Sequence, residues 1–213
     1  MNVFIIFAHP ETNSLNGTMK DLAAKILREN GHEVKISDLY RMNFKAVLNQ
    51  DDFTQRKDEE IFNPILEQFN ALGTGSIAQD IKDEIGKIQW ADILIFQFPI
   101  WWSSIPAILK GWIDRVFLPG IVHNIAEGKM YNTGLLKGKK AMLSFTTGAT
   151  KEIYSSEGPH GDINEILKYL THNTLELTGL EVLPSFTIFG PATISHDEVE
   201  RELKKFEKTI NSL

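Results

Sequence analysis

The sequence has no cysteine. That excludes disulfide staples, a thiolate nucleophile and thiolate metal centres, and it fits a cytoplasmic setting. No stretch approaches the roughly 20 apolar residues that a membrane span requires, so none is expected. The opening "MNVFIIFAHP" has too short an apolar run and no basic leader, so a signal peptide is not expected either. Positive charge is also scarce. With 22 Lys and Arg against 28 Asp and Glu, the formal net charge is −6. Nucleic acid needs a basic face, so nucleic-acid binding is set aside as the main task. Internal repeats, low-complexity tracts and flexible linkers are missing as well, and no metal site is assigned.

What is present is enough apolar material for a substantial core: 42% of 213 residues are hydrophobic. The chain is therefore read as one domain over residues 1–213. Val3 to Ala8, Ile93 to Phe98 and Ala141 to Phe145 are short continuous apolar runs, as expected for strands buried on both faces. Glu33 to Leu39 and Leu180 to Ile188 complete a set of five strands. Helical spacing lies between them: Leu15, Met19, Leu22, Ile26 and Leu27, closed by Asn30-Gly31; Ile81, Ile85 and Ile88; Ile105, Ile108, Leu109, Trp112, Ile113 and Val116. A helix is expected from Asp162 to about Gly179, and another begins where Ser195 and Glu198 have capping-box spacing. Residues 40–78 are the least periodic and are read as an excursion with a helical piece near 58–70. Residues 118–138 are loop-rich.

Alternating buried strands and amphipathic helices imply a parallel sheet covered on both faces. The expected fold is α/β: a flavodoxin-like three-layer sandwich with a five-stranded parallel sheet of order 2-1-3-4-5. Ligands of such sheets sit beyond the carboxyl ends of the strands. Three loops leave those ends, over residues 9–16, 99–104 and 146–161.

The first loop, "HPETNSLN", has no G-x-G-x-x-G, which disfavours a dinucleotide-binding Rossmann site. It does carry His9, Thr12, Asn13, Ser14 and Asn16 just before a helix, a set suited to phosphate. The plainer alternative is that Asn13 or Ser14 only caps its own helix. In the second loop, Pro99 ends the strand ladder and Trp101 and Trp102 follow at once. A flat conjugated ligand needs such an apolar wall. The alternative is that both indoles pack under neighbouring loops. Trp112, at helical spacing, belongs to the core. In the third loop, "TTGATKEIYSSEGPHGD", Gly148 permits close approach of a ligand to the backbone, and Tyr154 and His160 supply a proton donor and a proton acceptor. Singly, each reads equally well as structural. Together, the three loops offer an anion cradle, an aromatic wall and hydrogen-bonding groups, which are the needs of a flavin.

At this point the stretches "AHPETNSLNGTMK", "SDLYRMNF", "ADILIFQFPIWWSSIPAILKGWIDRVF", "KKAMLSFTTGATKEIYSSEGPHGDIN" and "GLEVL" resemble, in order and spacing, the NAD(P)H:quinone oxidoreductase family of the DT-diaphorase type. The resemblance implies a homodimeric enzyme that binds FAD (FMN in some relatives). Such an enzyme takes hydride from NAD(P)H and passes it to a quinone in a ping-pong cycle. It assigns His9, Ser14, Leu15 and Asn16 to the phosphate and adenosine side of the flavin. Pro99, Ile100, Trp101 and Trp102 fall to the ring wall, with the side on which Trp101 faces left open. Thr146, Thr147, Gly148 and Ala149 fall near the pyrimidine edge. Tyr154 and His160 occupy the positions of the catalytic pair. Near His123 to Ile125, where vertebrate members carry tyrosines that close the partner's active site, this sequence has none. Two rival readings share the flavin: an ancillary regulatory subunit of a potassium-efflux system, and a one-electron shuttle of the flavodoxin kind.

Overall fold

The computed structural model describes residues 1–213. Its frame is a parallel sheet of six strands: β1 (Asn2–Phe7), β2 (Glu33–Asp38), β3 (Ile93–Pro99), β4 (Lys140–Thr147), β5 (Glu181–Val182) and β6 (Phe186–Phe189). They lie in the order β2-β1-β3-β4-β5, with β6 also paired to β4. The order matches expectation; the count does not. The fifth strand was expected to run unbroken from Leu180 to Ile188, but it is split. Ala141 pairs with Val182 and Ser144 with Phe186, so two residues of β4 face three of the partner strand. Pro184 sits in that bulge, where its missing N–H costs no ladder bond.

The apolar strands alternate between two cores, as the pleat demands. Phe4, Ile6, Leu94, Phe96 and Phe98 face one side, and Val3, Ile5, Ile93 and Ile95 the other. Helices α1 (Leu15–Glu29) and α7 (His196–Asn211) cover the second face through Met19, Leu27, Phe206 and Ile210. The first face is covered by α3 (Gln79–Trp90), α4 (Ala107–Val116) and the run beyond residue 162. Trp112 is fully buried there, and its indole N–H donates to Glu84 Oε2 at 2.8 Å.

Two helical expectations are corrected. The helix placed near 58–70 is α2 (Pro64–Thr74). Asp58 Oδ1 instead accepts the N–H groups of Glu60 and Ile61 in a turn, and Asn63 caps the helix by accepting from Leu66 N at 3.2 Å. The helix expected from Asp162 to Gly179 is broken into α5 (Ile163–Ile166), α6 (Lys168–Leu170), a π-helical stretch Thr171–Leu175 and a 3-10 turn Glu176–Thr178. Its threonines compete for backbone carbonyls: Thr174 Oγ1 donates to Tyr169 O (2.8 Å) and Thr178 Oγ1 to Leu175 O (2.7 Å).

The excursion over residues 40–78 is latched to α4. Arg115, almost fully buried, donates to Asp52 Oδ1 (2.8 Å), to Asp80 Oδ2 (2.7 Å) and to the Lys45 carbonyl (2.9 Å). Gly111 lets that chain lie directly on the helix, because a Cβ there would stand 2.0 Å from Ala46 O.

Candidate functional site

Strand register brings the three loops together. Ala8 N donates to Gln97 O (3.0 Å) and Ile100 N to Thr146 O (2.8 Å), so the segments leaving β1, β3 and β4 run side by side. A cleft of about 210 Å³ opens between the second and third loops, lined by Pro99, Ile100, Trp101, Thr146, Thr147, Gly148, Pro191 and Ala192; the first loop, Trp102, Tyr154 and His160 lie outside its lining. The first six lining residues were expected from the sequence. Pro191 and Ala192 were not; the Gly-Pro break after β6 was the available signal. A larger hollow of about 350 Å³, lined by Lys137, Gly138 and Glu181 among others, lies at the opposite end of β4, away from the loops. His123 and Ile125 line another hollow, against α4, rather than the cleft; burial pushes the His123 imidazole pKa down.

In the first loop, Ser14 is the N-cap of α1 and accepts from Gly17 N at 3.1 Å. The plain capping role therefore holds for this side chain. The N–H groups of Leu15 and Asn16 have no partner within the chain and remain available to a ligand. The Asn16 side chain is committed elsewhere. It is buried, it donates to Thr146 Oγ1 at 2.8 Å, and it accepts from Gln97 Nε2 at 2.8 Å. Asn16 can thus serve a ligand through its backbone only. Gly17 makes the tight entry to the helix feasible: a Cβ there would lie 1.8 Å from Thr12 O. His9 Nδ1 stands 3.0 Å from both Glu11 N and Glu11 O; in the tautomer that receives the Glu11 N–H, Nε2 carries the proton and is a donor. The first turn of α1 carries no acidic residue, whereas that of α7 carries Asp197 and Glu198. The Ser195 backbone and hydroxyl hold the Glu198 carboxyl below the usual carboxylate range. Of the two helix ends, α1 is the one fit for an anion.

The second loop is a tight reversal. Trp101 and Ser104 exchange both backbone hydrogen bonds at 3.0 Å, and Trp102 (φ 50°) and Ser103 (φ 56°) are both left-handed. That is a type I′ turn, usually built from Asn-Gly. With two ordinary side chains at its centre it costs roughly 1–2 kcal/mol per residue. Trp102 is fully exposed, while Trp101, 40% exposed, lines the cleft. Trp102, expected on the ring wall, is therefore not part of the cleft lining: its side chain stands in solvent. Trp101 is part of the cleft lining, and its ring lies 6.2 Å from that of His9.

In the third loop, Thr147 Oγ1 donates to Ala149 O at 2.6 Å, and Gly190 N donates to Thr147 O at 3.0 Å, pinning the loop to the end of β6. Gly148 leaves open space where a Cβ would stand. Farther on, the loop closes on itself at Gly158, where a Cβ would lie 2.2 Å from Glu152 O. His160 N then reaches Ile153 O at 3.1 Å, and the rings of Tyr154 and His160 come to 5.1 Å between centroids. Tyr154 is only 7% exposed and its ring packs into the core; its hydroxyl has no hydrogen-bond partner in the protein and is not among the buried unpartnered atoms, so it opens to the surface. The free hydroxyl and the free imidazole can together donate to, or exchange a proton with, a polar group placed beside them.

A profile of the flavodoxin-like fold family matches residues 1–211. The human ribosyldihydronicotinamide dehydrogenase [quinone] is 43% identical over 197 residues, covering 92% of this chain and 84% of that protein. The guinea pig (Cavia porcellus) NAD(P)H dehydrogenase [quinone] 1 is 42% identical over 210 residues, covering 98% and 76%. A crystal structure of a candidate quinone reductase from Klebsiella pneumoniae superposes with a TM-score of 0.94 at 38% identity, over 100% of this chain and 84% of that one.

Proposed function

The chain belongs to the flavodoxin-like family that contains these quinone dehydrogenases, and from that premise we propose that it is a flavin-dependent NAD(P)H dehydrogenase reducing quinone-like acceptors. What supports the reading is that the start of α1 is tied to the end of β4 through Asn16 and Thr146, that Trp101 and Gly148 line one cleft at that sheet edge, and that Tyr154 and His160 pair farther along the third loop. These features fit a flavin: an anion, a flat ring, a close backbone approach and a polar edge.

When bound, the flavin would supply two-electron hydride chemistry, and donor and acceptor would use the cleft in turn in a ping-pong cycle. The protein's part is to bind, orient and exclude water. The Leu15 and Asn16 N–H groups and His9 Nε2 would hold phosphate. Pro99, Ile100 and Trp101 would shield the ring, and Trp102 would contribute backbone alone. Thr146, Thr147, Gly148 and Ala149 would meet the polar edge. Tyr154 would hold a hydrogen bond at its hydroxyl, and His160 would take up or release the proton that charge transfer demands. FAD is the form proposed. FMN shares the ring and first phosphate and would use the same loops.

The enzyme is proposed to be a single cytoplasmic domain that works as a homodimer. Ile61, Ile65, Leu66 and Phe69, in and before α2, expose a large apolar face of the kind a second copy covers. No helix is long and apolar enough to cross a membrane. No observation favours the regulatory-subunit or one-electron readings.

The test is to purify the protein natively, record its visible spectrum, identify released flavin by mass spectrometry and titrate it with NADH and NADPH. Yellow protein reduced by one equivalent of nucleotide supports the reading. A colourless protein that takes up neither FAD nor FMN ends it.

A further inference from the structure

The type I′ turn at Trp101–Ser104 is held from outside by one side chain. Tyr169, in α6, sets its hydroxyl 2.7 Å from Ser104 Oγ and 3.4 Å from the Ile105 N–H. No other side chain hydrogen-bonds any residue from Trp101 to Ile105. The Tyr169 ring packs against the main core, where a phenylalanine ring would serve equally well. The hydroxyl therefore has one use, and that use is the turn.

The turn needs it. Two left-handed residues that are not glycine sit in a shallow minimum. Rotation of the peptide between Trp102 and Ser103 would return Ser103 to negative φ while leaving Trp102 at positive φ, turning a carbonyl where an N–H had pointed. Tyr169 steadies the closing end of the turn by engaging the hydroxyl of Ser104 and the next N–H. It lies on the run that follows the Tyr154/His160 loop.

We propose that Tyr169 is a positioning residue: its hydroxyl fixes the Trp101–Ser104 turn and so sets how the second loop meets the bound flavin. This rests on the flavin reading above.

The experiment compares wild-type holoenzyme with Tyr169→Phe, Ser104→Ala and the double variant. Four quantities are read: flavin dissociation constant, visible circular dichroism of bound flavin, the KM-against-kcat split for a quinone acceptor, and melting temperature. Tyr169→Phe is expected to stay folded with a nearly unchanged melting temperature, to bind flavin about 10-fold more weakly and to alter the circular dichroism band. The acceptor KM should rise more than kcat falls. Ser104→Ala should match it, and the double variant should be no worse than either. Wild-type affinity and circular dichroism in Tyr169→Phe, or independent additive losses in the double variant, would overturn the proposal. If Tyr169→Phe unfolds, Ser104→Ala decides alone by the same readouts. Absence of flavin in the wild-type protein would instead defeat the underlying reading, and this one with it.

Discussion

The imidazole of His9 and the indole of Trp101 stand 6.2 Å apart, ring centre to ring centre, with their planes tilted by 54°. This pair joins the first loop to the second. It also separates the two adjacent tryptophans by role, since Trp102 points into solvent. Trp101→Ala should weaken flavin binding about 10- to 50-fold, the loss expected on removing a large apolar wall. Trp102→Ala should change it less than about 3-fold. Fluorescence titration of the flavin-free protein measures both.

Tyr154 and His160 make the second prediction. Because neither ring is hydrogen-bonded to the rest of the protein, Tyr154→Phe combined with His160→Gln should leave flavin bound. It should slow reduction by NAD(P)H at least 100-fold, the range typical of lost proton transfer. Stopped-flow absorbance reads the rate. Reduction at the wild-type rate would remove the pair from catalysis.

Much of this was legible in the sequence because buried parallel strands write themselves as unbroken apolar runs. Val3 to Ala8 and Ile93 to Phe98 needed no other clue, and the carboxyl-edge rule then pointed to three loops. What escaped depended on contacts distant in sequence. Nothing in "SLNGT" says that the Asn16 amide is spent on Thr146, 130 residues away. Nothing local says that Leu180 to Ile188 bulges at Pro184, or that threonine hydroxyls unsettle the helix after Asp162. Pro191 and Ala192 come to the cleft only because β6 ends beside β4.

A third expectation concerns Gly17. Any side chain there meets the Thr12 carbonyl, which belongs to the backbone and cannot step aside. Gly17→Ala should cost about 2–3 kcal/mol in urea denaturation and lower flavin affinity as the first loop is displaced. Gly148→Ala, with free space around it, should leave stability within about 1 kcal/mol yet still impair flavin binding.

Acid should loosen the latch between Asp52 and Arg115. Burial pushes the Asp52 carboxyl pKa up, but hydrogen bonds from Arg115 and Lys45 outweigh it and hold the pKa below the ordinary value. A lowered folded pKa adds stability that is present above the unfolded value, near 4, and is lost as pH falls toward the folded one. Melting temperature should therefore drop as pH is taken below about 4. Asp52→Asn should cost about 3 kcal/mol at neutral pH and show a shallower acid decline. Thermal melts across pH compare the two.

The apolar face of α2 supplies a fifth test. Ile65→Asp with Phe69→Asp replaces exposed apolar groups, so it should leave the fold intact while converting a dimer to monomers. Light scattering after gel filtration reads the mass. A wild-type protein that is itself monomeric would refute the homodimer.

Asp52 and Arg115 are separated by 63 residues of chain. Closing so long a loop is entropically slow and is rewarded only when α4 already offers its guanidinium. The order of assembly follows. The sheet and α4 are expected to form first, and the 40–78 stretch to fold down over them last. It should likewise be the first to peel away under mild denaturant or protease. Since α2 rides on that stretch, the proposed surface for a second copy would exist only once the latch has shut, and pairing through it would wait for each protomer to finish folding.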